Sequence, residues 1–349
     1  MQATTQRKAF TITKFVPIAA AALLSSCTSA QLQRLQSNNL SVAAVTLKID
    51  GSSTVFPITK LVAENFHQTQ SQIKVDVAFS GTGGGFKKFC AGEIDINDAS
   101  RPILTEEMEA CKKAGVRYIE LPIGFDALSV VVHHQNDWAK DITLEELKKM
   151  WEPAAEGKIT SWKQIRDSWP DRPLKLYGAG KDSGTFDYFT EAVVGEAKTS
   201  RNDYVASEDD TELVEGISKD PNALGYFGYS YYEANQDRLK PVAIDSGSGP
   251  VLPSRKTVKN AKYQPLARPL FIYVNAQRAK TQPEVKAFVE YYLNNVDLWV
   301  NDTGFVPLPE QGYVLILTRF QQGKNGTVFE GKSQFNLEIE ELLQKQAKF

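Results

Sequence analysis

Asp50-Gly-Ser-Ser-Thr-Val-Phe-Pro-Ile-Thr59 is the stretch from which the rest of the chain is read. The alternating run Val45-Thr-Leu-Lys-Ile49 precedes it and predicts a strand. Gly51 permits a sharp exit, Ser53 and Thr54 are good N-cap residues, and Pro57 suits a first helical turn. Ile58, Leu61, Val62 and Phe66 then recur at helical spacing. The stretch therefore reads as strand, tight turn and helix start. The first N–H groups of a helix lack partners within it, so with nearby hydroxyls they make a seat for a small anion.

The same device recurs twice. Val75-Asp-Val-Ala-Phe79 runs into Ser80-Gly-Thr-Gly-Gly-Gly-Phe86, with a helix expected from Phe86. Leu174-Lys-Leu-Tyr177 runs into Gly178-Ala-Gly-Lys-Asp-Ser-Gly-Thr185 and then Phe186-Asp-Tyr-Phe-Thr190. One such unit is an ordinary capped helix; three in one chain point to a shared ligand. Ile94-Asp-Ile-Asn-Asp-Ala-Ser-Arg-Pro-Ile103 adds a short strand whose end carries Asp98, Ser100 and Arg101, where open α/β sheets place their ligands.

Composition sets the frame. At 349 residues the chain suits about two domains, and 42% apolar with 23% charged residues fits a globular protein. A net charge of -2 without a basic block argues against nucleic acid as a partner. Arg7, Lys8 and Lys14 precede a short apolar core, Phe15 to Leu24, and Leu24-Ser-Ser-Cys27 resembles a bacterial lipobox. Residues 1–26 thus read as a lipoprotein signal, Cys27 as the lipidated residue, and 27–44, rich in Ser, Gln and Asn, as a flexible tether. Cys90 and Cys111 remain, an even pair that forms a disulfide in an oxidising compartment or stays as two buried thiols.

Downstream, Thr143 to Trp151 predicts a capped helix and Trp162 to Trp169 a short amphipathic segment. His133 and His134, neighbours at a strand end, read as surface residues that cannot share a metal. Gly124–Val132 and Pro265–Val274 read as two crossings between lobes, giving 45–125 plus 268–349 for the first lobe and 126–267 for the second. Glu284 to Trp299 is an amphipathic helix with Val285, Phe288, Val289, Tyr292 and Leu293 facing inward.

Enzyme readings find little. Phe86 occupies the third glycine position of a dinucleotide fingerprint, no loop fits a P-loop, and there is no nucleophile elbow. Asp95 with Asp98, or Asp209 with Asp210, lack histidine support as metal ligands, so neither metal, cofactor nor catalysis is expected. The hydroxyls and N–H groups of Ser53, Thr54, Val55, Ser80, Ser100, Ser183, Gly184 and Thr185 could instead hold a tetrahedral anion. Arg101 could add a bidentate clamp, or pair with Asp210. A cleft carboxylate such as Asp98 would accept the proton that phosphate keeps at neutral pH and repel sulfate.

Gly51-Ser-Ser-Thr-Val-Phe-Pro57, Ser80-Gly-Thr-Gly-Gly-Gly85, Ala99-Ser-Arg-Pro102 and Asp182-Ser-Gly-Thr-Phe-Asp187 together resemble the phosphate-binding protein of bacterial phosphate ABC transporters, in its cyanobacterial lipoprotein branch. The resemblance implies a type II periplasmic-binding-protein fold, two α/β lobes joined by two crossings and closing on phosphate. It implies a periplasmic, lipid-anchored monomer that delivers phosphate to membrane permease subunits. Two positions depart from the best-studied branch: Ser100-Arg101 stands for its Ser-Asp, and Ala179 for an arginine four residues before the Ser-Gly-Thr serine. The expectation is that the cation has moved to Arg101 and the acceptor to Asp98. A secreted phosphate-ester hydrolase, a binder of sulfate or molybdate, and a phosphate-sensing receptor subunit are the alternatives.

Overall fold

The structure is a computed structural model that describes residues 45–349; the signal, the tether and Cys27 lie outside these residues. Strand β1 (Val45–Gly51) leads to helix α1 (Phe56–Thr69), β2 (Ile73–Val77) to α2 (Thr82–Cys90), and β3 (Ile96–Ala99) to α3 (Thr105–Lys113). Next come the long strand β4 (Tyr118–His133), β5 (Asp141–Thr143) and α4 (Leu144–Trp151). The third unit is β6 (Lys175–Ala179) and α5 (Gly184–Val193). It is followed by β7 (Val205–Ser207), α6 (Asp210–Lys219), β8 (Ala223–Gly228), α7 (Tyr229–Glu233), β9 (Leu239–Pro241), β10 (Ala243–Asp245), β11 (Pro250–Val251) and α8 (Arg255–Lys259). The chain closes with β12 (Ala267–Asn275), α9 (Ala276–Thr281), α10 (Pro283–Asp302), α11 (Glu310–Gln321) and α12 (Ile339–Lys348).

β4 organises the sheet. Its first part, Tyr118–Ala127, pairs antiparallel with β12, and its second, Leu128–Val132, with β8. The strand order is β2-β1-β3-β12-β4-β8-β6-β7, with β9 also on β4. One lobe is therefore built on β2-β1-β3-β12-β4 and the other on β4-β8-β6-β7, with β4 common to both. All 16 residues of β4 and all nine of β12 are buried. That explains why both read as near-continuous apolar runs rather than alternating ones. The α/β fold of two lobes is the one expected. A separate small sheet, β11-β10-β5, packs in the second lobe's part of the chain.

Helix α10 buries Val285, Phe288, Val289, Tyr292 and Leu293, the face its spacing predicts, and Phe288 meets Phe66 of α1 edge-on at 5.3 Å. Each such side chain contributes roughly 1.5–3 kcal/mol through burial. Cys90 and Cys111 are bonded (S–S 2.03 Å), joining the end of α2 to α3.

Three local readings are corrected. Helix α1 starts from Val55 with no side-chain cap, so Ser53 and Thr54 stand before the helix rather than capping it. Trp162–Trp169 forms only a 3-10 turn at Trp162–Gln164, its two indoles packing edge-to-face at 5.4 Å. His133 is buried while His134 is exposed, and their rings lie 4.3 Å apart. The chain turns as β4 ends, so strict strand alternation no longer holds there.

Candidate functional site

The loops that precede α1, α2 and α5 converge. Gly51, at φ 134°, turns the chain out of β1 so closely over β3 that a Cβ would sit 2.1 Å from the Asp98 carbonyl; Ser52 N–H donates to that carbonyl at 2.9 Å. This sets Ser53, Thr54 and Val55, all buried, at the mouth of α1. From the other lobe, Ser183 caps α5, its Oγ accepting from Thr185 N–H at 3.0 Å. Thr54 Oγ1 and Thr185 Oγ1 then meet across the lobes at 3.3 Å.

Gly184 is held just as tightly. A Cβ there would lie 2.3 Å from Thr82 Oγ1 and 2.7 Å from Ser100 Oγ, so only glycine lets α5 approach those hydroxyls. Thr82 and Ser100 are themselves neighbours: their hydroxyls are 3.4 Å apart, and Ser100 N–H donates to Thr82 Oγ1 at 3.1 Å. Six of the expected residues, Ser53, Thr54, Ser100, Ser183, Gly184 and Thr185, together with the Val55 backbone, are thus gathered where the lobes meet.

The other three expected residues are placed differently. Ser80 is half-buried and donates to Asp50 Oδ1 at 2.9 Å, beside Lys88, so the second unit offers Thr82 instead. Helix α2 begins at Thr82, four residues before the expected Phe86, and that shift brings Thr82 to the front. Asp98 points to the α1–α10 face of the sheet, beside Thr59, whose hydroxyl lies 3.2 Å from Tyr292 Oη. Burial raises its pKa well above the usual carboxylate range, the nearby Thr59 hydroxyl working against this and Asp50 adding to it, while neither carboxylate oxygen has a hydrogen-bond partner among the described residues.

Arg101 is not an anion clamp here. Its Nε donates to Asp187 Oδ2 at 2.7 Å, while Nη1 and Nη2 donate to the two Glu107 oxygens at 2.8 and 2.7 Å, and Nη1 also donates to Pro102 O at 3.0 Å. It does not pair with Asp210 either. All three guanidinium nitrogens are committed, and a planar fork already gripped by one carboxylate edge-on cannot grip an oxyanion with the same edge.

The cation at the gathered hydroxyls is Arg268, on β12. It is fully buried; Nη2 donates to Asp126 Oδ2 at 2.9 Å and to Thr54 Oγ1 at 3.2 Å, and Nη1 has no protein partner. Asp126 stands across from it on β4, in register with Arg268. Burial raises the Asp126 pKa, and Arg268 pulls it back. Asp210, at the start of α6, accepts from Ser53 Oγ at 2.9 Å across the lobes; burial pushes its pKa up to about 7. Tyr231 Oη closes the group by donating to the Ser53 carbonyl at 3.1 Å.

Sequence reasoning missed Thr82, Arg268, Asp126 and Asp210's partner. A signal was present for the ion pair: each of Asp126 and Arg268 is a lone charge inside an apolar run, Gly124-Phe-Asp-Ala-Leu128 and Leu266-Ala-Arg-Pro-Leu270. A charge buried in a strand requires a partner.

Known proteins share this architecture. The family model of the PBP superfamily domain matches residues 28–296. Protein SphX from Synechocystis sp. is 51% identical over 335 residues, covering 96% of each chain. Phosphate-binding protein PstS from Staphylococcus saprophyticus is 36% identical over 270 residues, 76% of this chain and 82% of that one. A solved structure from Clostridium perfringens, described as a phosphate ABC transporter substrate-binding protein with bound phosphate, aligns with a TM-score of 0.64 at 25% identity, covering 76% of this chain and 100% of that one.

Proposed function

We propose that this chain, which belongs to the PBP superfamily, binds inorganic phosphate between its two lobes and delivers it to an ABC-type importer. The observation that carries this reading is Arg268: a fully buried guanidinium with an unpartnered Nη1, set among Thr54, Thr185 and the start of α5. A buried cation with a spare donor beside convergent hydroxyls and helix-start N–H groups is suited to an oxyanion. Arg268 also replaces the arginine absent at Ala179. The names of the Staphylococcus and Clostridium relatives give the anion and the importer.

Asp210 supplies selectivity in this reading. In its ionised form this buried carboxylate, already accepting from Ser53, takes the proton phosphate carries, and sulfate has none to give. The lobes run over 45–125 plus 268–349 and over 126–267, so Arg268 and Asp126 stand at the two crossings and report closure. The protein acts as a periplasmic monomer anchored through a lipid on Cys27, and handing phosphate to permease subunits requires no chemical step of its own. Among the described residues no helix is long and apolar enough to cross a membrane; in this reading the Cys27 lipid holds the protein at the membrane.

Isothermal titration of the chain, unfolded and refolded to strip bound anion, tests this. One tight phosphate site with no response to sulfate, arsenate excepted as a phosphate mimic, is expected. Sulfate or molybdate binding in place of phosphate would overturn the substrate while leaving the fold. Turnover of a chromogenic phosphate ester would overturn the binding-protein reading.

A further inference from the structure

Arg101 occupies a position that the anion site does not use, yet it is among the most completely buried charges of the described residues, and its partners come from both lobes. Glu107, at the start of α3, belongs to the same lobe as Arg101 and holds the outer edge of the guanidinium with both oxygens. Asp187, in the first turn of α5, belongs to the other lobe and takes Nε at 2.7 Å. Side-chain exposure is 0% for Arg101 and 1% for Asp187. The Phe86 ring lies 5.8 Å from the guanidinium carbon, and a groove of about 360 Å³ lined by Gly83, Lys87, Glu107, Asp187 and Lys198 runs beside the group.

We propose that Arg101 and Asp187 form a closure latch: a pair of positioning residues that sets how long the lobes stay shut on their ligand without touching it. The inference rests on the lobe-closure reading above and not on the identity of the anion. It follows from which contacts break on opening. Arg101 and Glu107 lie on one lobe and part company with nothing, so the guanidinium keeps a neutralising partner in either state. Asp187 alone crosses the seam, and opening returns it to water. The latch strength is thus the difference between a hydrated carboxylate and one desolvated against a guanidinium already satisfied on its other edge. Those two terms nearly offset in buried ion pairs, as a reversible catch requires.

The two ends of the pair are wired to the site by sequence. Arg101 directly follows Ser100, and Asp187 lies two residues after Thr185. When the latch is shut, Ser100 and the Ser183–Thr185 turn are held against each other, so closely that a Cβ on Gly184 would sit 2.7 Å from Ser100 Oγ. Nearby, Gly83 N–H donates to the Asp182 carbonyl at 2.9 Å, Lys87 pairs with Asp182 at 2.5 Å, and Lys198 pairs with Glu106, all across the seam. The side chains of these pairs are 44–72% exposed and contribute little; the Arg101–Asp187 pair is the buried one.

The test compares the full chain with Asp187→Asn and Glu107→Gln, measuring phosphate affinity, release by stopped flow, and melting with and without phosphate. Asp187→Asn is expected to weaken phosphate binding roughly 10- to 100-fold, almost all of it through faster release, with the melting temperature of the phosphate-free protein unchanged. Glu107→Gln should lower melting with and without phosphate alike, because that contact persists in both states. Unchanged release in Asp187→Asn overturns the latch. So does an equal loss of melting temperature with and without phosphate, or a failure to fold, either of which makes Asp187 a part of the fold rather than of closure. If the wild type binds no phosphate, the substrate reading falls instead. The melting temperature of the free Asp187→Asn protein then decides the latch: one equal to that of the wild type supports it, and a lower one, which makes the contact part of the fold, overturns it.

Discussion

Arg101 and Arg268 are both fully buried, and they sit at the same seam, yet their surroundings assign them opposite work. Arg101 faces two carboxylates and has every nitrogen engaged. Arg268 faces one carboxylate, touches one hydroxyl and keeps Nη1 unpartnered. The first group is already over-supplied with negative charge and keeps one N–H, on Nη2, without a protein partner; the second is charge-balanced, with both N–H groups of Nη1 to spare. Counting the carboxylates and free N–H groups around a buried arginine thus distinguishes a structural cation from a ligand-binding one more sharply than its place in a motif.

The contrast can be broken most directly at Arg268. Arg268→Met should weaken phosphate binding in calorimetry by roughly 30- to 4,000-fold, because truncating a buried charge that grips an anion costs on the order of 2–5 kcal/mol. Retention of submicromolar binding would return the clamp to another residue. Arg268→Lys should recover only part of the loss, since a point charge does not reproduce a fork that holds Asp126 and Thr54 together. The matching change at the other arginine, Arg101→Met, should act on the fold: chemical denaturation should show about 3 kcal/mol of lost stability, from leaving Glu107, its partner within the same lobe, without its cation. A stable Arg101→Met protein that binds no phosphate would reverse the two assignments.

Asp210 sharpens the comparison through pH. Its pKa rises from 3.8 to about 7 on burial, so the folded protein holds a proton that the unfolded chain has lost. The stability this group contributes is complete below about pH 4 and is lost as pH rises through about 7, by at most on the order of 4 kcal/mol. Asp210→Asn should flatten the decline in melting temperature between pH 4 and 7 and admit sulfate to the site; an unaltered pH profile would remove Asp210 from that role. The smallest effect is expected at the rim. Lys87→Ala removes a pair whose side chains are 72% and 47% exposed, and should change phosphate affinity by less than about threefold.

Much of the frame was legible. Strand, turn and helix in all three units followed from Gly51, the Ser80–Gly85 run and Gly178–Thr185, because glycine and hydroxyl residues mark sharp strand exits by local geometry alone. The inward face of α10 followed from its period. What stayed hidden depended on contacts between distant parts of the chain. Whether Ser80 or Thr82 reaches the seam turns on where α2 begins, a shift of a few residues that propensity does not resolve. Arg101 was read from its neighbours Ser100 and Pro102, but its role is fixed by Asp187, 86 residues away, and Asp98 was read as cleft-facing although the packing of α1 and α10 turns it inward. Arg268 and Asp126, 142 residues apart, become a pair only when β12 lies against β4.

The unbroken run of β4 through both half-sheets bears on how weak the individual contacts can be. Each half of the site is attached to the same length of backbone, so one half never has to find the other by diffusion. It meets it at a fixed local concentration, millimolar or higher for so short a connection. At such concentrations a few individually weak contacts, among them a hydroxyl pair at 3.3 Å and one hydroxyl–carboxylate contact, are enough to register the two halves. A cut in β4 would leave the chain that enters β12 as the covalent link between the halves, and the local concentration that lets so few contacts suffice would fall.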